Sequence, residues 1–490
     1  MLNERLFATA PVGSGWPRLP TIAGEAMIAT SHPLATRAGA RAFDAGGNAV
    51  DAALAAAAVL PLCEPPHNGI GGDALALLWW DGELHGLNGS GRAPAVIDAP
   101  TVDSGGPRSV TVPGAVRAWA DLAERFGRLG LDAALAVGID AAQRGVAATA
   151  RVAEHWRRAP RAPWPAPRPG ERYTLPGMAE TLRAIADRGP AALYEGRIAE
   201  AIAAACWLSV DDLAAHRSEW VTPLRRFYRG VEVCELPPNT QGAAALTALG
   251  IADGLDEGAG LHEEIEAVKL ALDWAAGAIG DQPVELPDVA ALRGQIRPDA
   301  AAPARVWPGG GTTFLCAVDG DRNAIALIQS VYEGFGSGVV AGDTGIWLHS
   351  RGACFTEEEG HPNQLAPGRR PFHTLIPGML LRDGALLGPF GVMGAAMQAQ
   401  AHFKVVRHVV DGGLDPQAAL DAPRFRATGG RRVLLEPGLA AEVDGLRARG
   451  HEAEVPDVPH AFGVGQMILA DGDALVAGSD GRADGHAAGL

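Results

Sequence analysis

The sequence predicts a mixed α+β protein in which helices and paired strands fall in separate blocks. Three observations predict it. Capped, Ala-rich helical patterns fill residues 31 to 62 and most of 113 to 255. Short apolar runs joined by turn residues recur near 74 to 87, 313 to 329, 378 to 388 and 464 to 477. The 490 residues are 47% hydrophobic and 20% charged, enough apolar material for a sizeable core, which excludes a disordered chain or a fibre. At about 150 residues per domain the length allows two or three domains or one large layered body.

In chain order, Ser31 and Asn48 are suited to cap two helices, and Gly46-Gly47 ends the first of them. The glycine-rich turn His67-Asn68-Gly69-Ile70-Gly71-Gly72-Asp73 leads into strands over 74 to 80 and 83 to 87, joined by Asp81-Gly82. Helix dominates from Pro113 to about Leu255, broken by an exposed Pro/Arg-rich loop at 157 to 171, and an acidic helix follows at 261 to 279. From Pro283 to Gly309-Gly310-Gly311 the periodicity is too poor for core. The chain then turns abruptly to strands at 313 to 318 and 324 to 329, the sharpest boundary in the sequence. Strands near 378 to 388, helices at 394 to 411 and 438 to 449, and closing strands at 464 to 477 complete it. Neither an internal repeat nor a heptad pattern is found.

Acidic residues outnumber basic ones by 57 to 41, a net charge of -16, which opposes a sequence-independent grip on nucleic acid or anionic lipid and points to a small-molecule partner. No window offers the ~18 apolar residues of a bilayer span, and the opening MLNERLFATAPVGSGWPRLP lacks the apolar stretch of a secretory signal, so a cytoplasmic location is expected. Cys63, Cys206, Cys234, Cys316 and Cys354 show neither CxxC nor Cys/His spacing, and free buried thiols are expected. Gly69 to Ala74 fits G-x-G-x-x-A, but a helix precedes it and a strand follows, the reverse of a dinucleotide site. His262-Glu263-Glu264 lacks a second histidine one turn on and reads as a solvated helix start rather than a zinc pair.

The Gly311/Thr312 boundary carries more chemistry. A tri-glycine run leaves the preceding carbonyl unshielded and the backbone free to take up strained conformations, which suits self-cleavage. A threonine freed as a chain terminus carries its own base, an α-amine with pKa near ~8, beside its hydroxyl. The same residues also suit a plain loop entering a strand, since glycine favours loops and threonine strands.

Several blocks then occur in one order along nearly the whole chain: Met27 to Leu60, Glu64 to Gly72 (EPPHNGIGG), Ser109 to Gly114 (SVTVPG), Pro237 to Gly242 (PPNTQG), Thr312 to Asp319 (TTFLCAVD) and Phe335 to Gly345 (FGSGVVAGDTG). Together they resemble the gamma-glutamyltransferase family. The resemblance implies the N-terminal-nucleophile hydrolase fold, a four-layer αββα sandwich. It implies a precursor that cuts itself before a threonine, here between Gly311 and Thr312. The products are a large subunit, 1-311, and a small subunit, 312-490, that form one body, with further dimerisation left open.

Residue by residue, the resemblance makes Thr312 the nucleophile and places Ser330 where the family has a threonine that hydrogen-bonds it. Gly391 to Ala395 matches the oxyanion loop, so the N–H groups of Gly394 and Ala395 are the expected donors. The substrate-reading positions depart from the family. Ser90 stands where gamma-glutamyl enzymes have the arginine for the donor carboxylate, with Arg92 two residues on. Cys354 replaces the aspartate that receives the α-ammonium, and Arg351 stands at the nearby amide position. His373-Thr374 replaces a serine pair, and Tyr332 an asparagine. Gln329-Ser330, Arg351-Gly352 and Met397-Gln398 are more similar to the family's amidase branch, which includes oxamate amidohydrolases and lies near the cephalosporin-type acylases.

The expected activity is therefore amide hydrolysis through an acyl-enzyme on Thr312, without metal or organic cofactor. The expected substrate is a small amide whose acid part is read by Arg92 or Arg351, as oxamate's would be. A true gamma-glutamyl transferase or glutathione hydrolase is the alternative, and a catalytically silent binding homologue is a third reading from another class.

Overall fold

The computed structural model describes residues 18–98, 101–256, 258–307, 310–457 and 462–490. Most of the opening segment and Gly309 of the tri-glycine run lie outside the described residues.

Asn48 caps the helix Ala49–Cys63 with a full capping box: its side chain accepts from the Val50 and Asp51 N–H groups while the Asp51 carboxylate accepts from the Asn48 N–H. This helix is apolar on every side and wholly buried, as such a composition requires. The preceding helix, Pro33–Asp44, is capped by His32, whose Nδ1 accepts from the Leu34 N–H, and not by the expected Ser31. The Ser31 hydroxyl is instead donated to Glu64.

Two seven-stranded antiparallel sheets carry the fold. The first runs His486–Gly489, Met27–Thr30, Thr313–Val318, Ala324–Ser330, Asp73–Trp80, Glu83–Asn88, Glu219–Val221. The second runs Thr21–Ala23, Ala474–Ser479, Val464–Asp471, Ala385–Met393, Gly378–Arg382, Val231–Glu235, Leu224–Tyr228. The three strands between 219 and 235 correct the helical reading of that stretch. Leu224–Tyr228 is an edge strand that leaves Phe227 exposed, so its pattern lacks the usual apolar alternation.

Alternation along each strand builds three cores. Leu315 and Ala317 point outward, where Ala49–Cys63 and Ala115–Phe126 cover the first sheet and Leu131–Arg144 packs on those helices. Phe314 and Cys316 point inward and meet Met379, Leu381, Ile468 and Leu475 of the second sheet. The outer face of the second sheet packs Leu380, Phe390 and Met467 under Gly242–Asp253 and Met397–Val410, and Leu261–Ala278 packs on Gly242–Asp253. The layers thus run helix, sheet, sheet, helix. Both sheets take strands from before and after Thr312, so the two segments interleave in one body.

Candidate active site

Thr312 immediately precedes a central strand, and the register Thr313↔Gln329 brings it beside Ser330 at the end of the neighbouring strand. Thr312 is 3% exposed. Its hydroxyl lies 3.4 Å from Ser330 Oγ and receives Gln398 Nε2 at 3.4 Å. Ser330 Oγ donates to the Gly311 carbonyl oxygen at 2.7 Å and accepts from the Tyr332 N–H at 2.8 Å. The carbonyl whose carbon is bonded to the Thr312 nitrogen is therefore already polarised by a hydroxyl.

The glycine at 311 is explained by crowding rather than by unusual dihedrals. Neither Gly310 nor Gly311 has a positive φ. A Cβ on Gly311 would sit 2.7 Å from His67 Nδ1 and 3.1 Å from His67 Cα, closer than van der Waals contact allows.

Gly394 (φ 137) and Ala395 (φ 55) form a left-handed bend just before the helix Met397–Val410. Ala395 holds a conformation that costs a side-chain-bearing residue energy. Gln241 secures it, donating to the carbonyls of Thr374 (2.7 Å) and Ala395 (2.9 Å). Among the described residues no hydrogen bond engages the N–H of Gly394 or Ala395. Gly394 and Thr312 line one cavity of about 220 Å³.

The other walls of that cavity hold charged and titratable groups that sequence reasoning missed: Glu64, His67, Arg151, His155 and Arg426. Arg151 and His155 are one turn apart on the helix Ala150–Arg158, and His155 Nδ1 lies 2.6 Å from His67 Nε2. Arg426 comes from the strand Phe425–Gly429. Glu64 is fully buried. Burial raises its pKa to about 7, the Ser31 hydrogen bond and Arg151 opposing and Asp484 reinforcing the rise. The local signals were the i, i+4 pair at 151 and 155 and the Glu64/His67 pair within the block Glu64 to Gly72. Glu64 and His67 share one turn, and only the tertiary structure brings that turn, the helix Ala150–Arg158 and Arg426 together.

Of the expected substrate readers, Arg351, Tyr332 and Thr374 gather about Ser330 and do not line the cavity. Arg351 is fully buried: Nη2 reaches Ser330 Oγ at 3.3 Å, Nη1 reaches Thr374 Oγ1 at 3.1 Å and Cys354 Sγ at 3.6 Å, and the guanidinium lies 4.6 Å from the Tyr332 ring centre. Burial pushes the Cys354 thiol up, keeping it neutral.

The others stand elsewhere. Arg92 pairs with Glu219 (2.8 Å) and Asp281 (2.9 Å) and lines a different cavity with His216 and Asp212, so its charge is met by protein carboxylates rather than offered at Thr312. Ser90 donates to Asn88 Oδ1 at 2.6 Å in a closed network with Asn239. His373 is buried, donating Nε2–H to Asp73 Oδ2 at 3.1 Å and accepting at Nδ1 from the Leu375 N–H. Burial, with repulsion from Arg351, lowers its pKa to about 3 against the pull of Asp73, so it stays neutral. It braces the interior and does not line the cavity.

Two further motifs resolve by packing. Gly69 and Gly71 lie against Trp347 with no room for a Cβ, which accounts for the glycine-rich turn. His262 is buried, not the solvated helix start expected, because His451, far along the chain, supplies the neighbour that local spacing lacked: His262 Nδ1 and His451 Nε2 are 2.8 Å apart beside Glu266. The Lys269 ammonium already takes Glu266 Oε1 at 2.7 Å. All five cysteines are free, four buried and Cys206 half-buried. Among the described residues, no helix is long and apolar enough to cross a membrane.

With this geometry in place, comparison with known proteins places the chain. The gamma-glutamyltranspeptidase family model matches residues 35–490. The glutathione hydrolase-like YwrD proenzyme of Bacillus subtilis (strain 168) is 34% identical, covering 95% of this chain and 98% of its own. The oxamate amidohydrolase proenzyme of Klebsiella pneumoniae is 33% identical over 94% and 98%. The crystal structure of cephalosporin acylase from Bacillus halodurans superposes with a TM-score of 0.92 at 39% identity, over 99% of this chain and 98% of that one.

Proposed function

The chain belongs to the gamma-glutamyltranspeptidase family, and on that premise we propose an amidohydrolase that cuts itself between Gly311 and Thr312 and then uses Thr312 to hydrolyse the amide of a small acid-bearing substrate. One observation carries the reading: Ser330 Oγ donates to the Gly311 carbonyl and also lies against the Thr312 hydroxyl. The names of its relatives, glutathione hydrolase-like, oxamate amidohydrolase and acylase proenzymes, support both processing and amide chemistry.

In the uncut chain the Thr312 hydroxyl oxygen adds to the Gly311 carbonyl carbon, and the negative charge that develops on the carbonyl oxygen falls where Ser330 donates. The C–N bond breaks with the hydroxyl proton passing to the departing nitrogen, an ester forms, and water releases the Gly311 carboxylate and a free Thr312 α-amine. In turnover that amine takes the hydroxyl proton, Thr312 Oγ adds to the substrate carbonyl, and the Gly394 and Ala395 N–H groups receive the oxyanion. The leaving amine takes the proton, and water resolves the acyl-enzyme. Cut precursor thus leaves two chains held by shared sheets.

The glutathione hydrolase-like relative favours a second reading, hydrolysis of gamma-glutamyl amides. Against it, the position expected to hold the α-ammonium carries a neutral thiol, Cys354, with the Arg351 guanidinium beside it, which repels a cation. A silent binding homologue is opposed by the intact Thr312, Ser330 and Gly394–Ala395 arrangement.

The test is intact mass followed by turnover. By share of the 50.6 kDa chain, fragments of roughly 32 and 18 kDa are expected, and Thr312→Ala leaves one uncut chain. A cut elsewhere, or activity without a cut, removes the mechanism. A gamma-glutamyl anilide beating every acid-bearing acyl anilide would move the assignment to the second reading.

A further inference from the structure

The helix Met397–Val410 brings to Thr312 a side chain to which the reaction just described gives no part. Gln398 lies in the first turn of that helix, directly after the Gly394–Ala395 bend, and is fully buried. Its Nε2 stands 3.4 Å from Thr312 Oγ1, and its Oε1 accepts from the Ile376 N–H at 3.1 Å. We propose that Gln398 is a further catalytic residue, whose amide N–H holds the negative charge that gathers on Thr312 Oγ when that oxygen leaves an acyl group. This rests on the self-cleavage and acyl-enzyme reading and adds to it the group that stabilises the leaving oxygen.

Three observations carry it. First, the orientation of the amide is fixed. A backbone N–H can only donate, so Ile376 claims the amide oxygen and leaves the amide nitrogen, a donor, against Thr312. Second, the two neighbours of Thr312 Oγ1 divide the work. The Thr312 hydroxyl is directed at Ser330 Oγ, while the Ser330 hydroxyl is itself given to the Gly311 carbonyl oxygen. Ser330 therefore stabilises the carbonyl oxygen, and among the described residues Gln398 is the donor left for Oγ. Third, the donor is anchored to the oxyanion bend. The Gln398 backbone N–H donates to the Ala395 carbonyl at 3.0 Å, the same carbonyl that Gln241 holds at 2.9 Å.

In the ester formed midway through self-cleavage, the Gly311 acyl group is on Oγ and the Thr312 α-amine is free. Water adds to the ester carbon and gives a proton to that amine. The C–Oγ bond then breaks, its electron pair passes to Oγ beside the Gln398 N–H, and the α-ammonium returns the proton to Oγ. The acyl-enzyme of turnover resolves in the same way. A long contact to a neutral hydroxyl becomes a short, charge-assisted bond as Oγ takes up charge, and that difference is what lowers a barrier.

The experiment follows self-cleavage of the full chain, whose own Gly311–Thr312 bond is the substrate. Gln398→Met keeps the length and loses both hydrogen bonds, whereas Gln398→Glu, as a carboxylate, keeps an oxygen for Ile376 and loses the donor. Each should release the small chain about ten- to hundred-fold more slowly than wild type. The chain still joined should be largely the ester, which has the mass of the precursor but is split by hydroxylamine to a Gly311 hydroxamate. A merely structural role would misplace Oγ and slow its attack, leaving the joined chain as the amide, which hydroxylamine does not cut. Melting temperature reports folding, and Gln398→Glu decides if Gln398→Met does not fold. A folded variant that cuts at the wild-type rate, or whose joined chain resists hydroxylamine, overturns the proposal and leaves the reaction reading standing. A wild-type chain that never cuts removes both.

Discussion

Thr312 faces two environments that differ more in access than in charge. On one side Ser330, Arg351, Thr374, Tyr332 and Cys354 form a buried, mutually bonded group around the Gly311 carbonyl. On the other, the walls of the cavity carry Arg151, Arg426, Glu64 and two histidines. An arginine of the first group is bonded to protein hydroxyls and can only polarise and position them. One on a cavity wall can be reached by a ligand. The same residue type is thus bonded to the protein's own hydroxyls on one side and stands at a cavity wall on the other.

Ser330→Ala should break the buried side most severely. Removing one oxyanion donor slows such reactions by about 10²–10³-fold, so self-cleavage followed by gel should slow by that order, with Ser330→Thr close to wild type. Unslowed cleavage in the alanine variant would dissociate the buried group from the cut.

A smaller effect sharpens the cavity side. The Glu64 carboxyl titrates near its ordinary ~4.3 when unfolded and at about 7 when folded, so the folded chain binds the extra proton between those values. Stability should then fall as pH rises from about 4.5 to 7, by up to ~3 kcal/mol, and stay low above that. Glu64→Gln cannot ionise and should lack this component, so melting temperatures at pH 5 and 8 should converge relative to wild type. Parallel pH profiles would show that Glu64 is not the group responsible.

The smallest effect concerns the junction. A Cβ at Gly311 overlaps His67, and overpacking of this kind costs about 1 to 3 kcal/mol. Gly311→Ala should slow cleavage modestly, and His67→Ala in the same chain should recover part of the rate. Equal rates in Gly311→Ala and wild type would show that this contact does not set the junction's geometry.

Legibility in the sequence followed the range of the interactions. The helix Ala49–Cys63 was readable because its cap, Asn48, and its apolar surface are local, and the strands around Asp81-Gly82 because the turn is two residues long. Leu224–Tyr228 was missed because an edge strand needs no apolar alternation. His32 displaced Ser31 as the cap because Glu64, 33 residues on, takes the serine hydroxyl.

At the site the same rule holds. Thr312, Ser330 and the Gly394–Ala395 bend could be named from sequence because each lies in a contiguous block that resembles the family's, and the structure puts them before a strand, at the end of its hairpin partner and at a bend before a helix. Which charges meet them was decided only by the tertiary structure. Arg92 and Arg351 are near the right blocks in sequence, yet Glu219 and Asp281 claim one and Ser330 and Thr374 the other. Arg151 and Arg426 are 275 positions apart and reach one cavity because the two segments interleave in shared sheets. A charged side chain's role depends on what neutralises it and on whether solvent reaches it, and both are properties of the packed molecule.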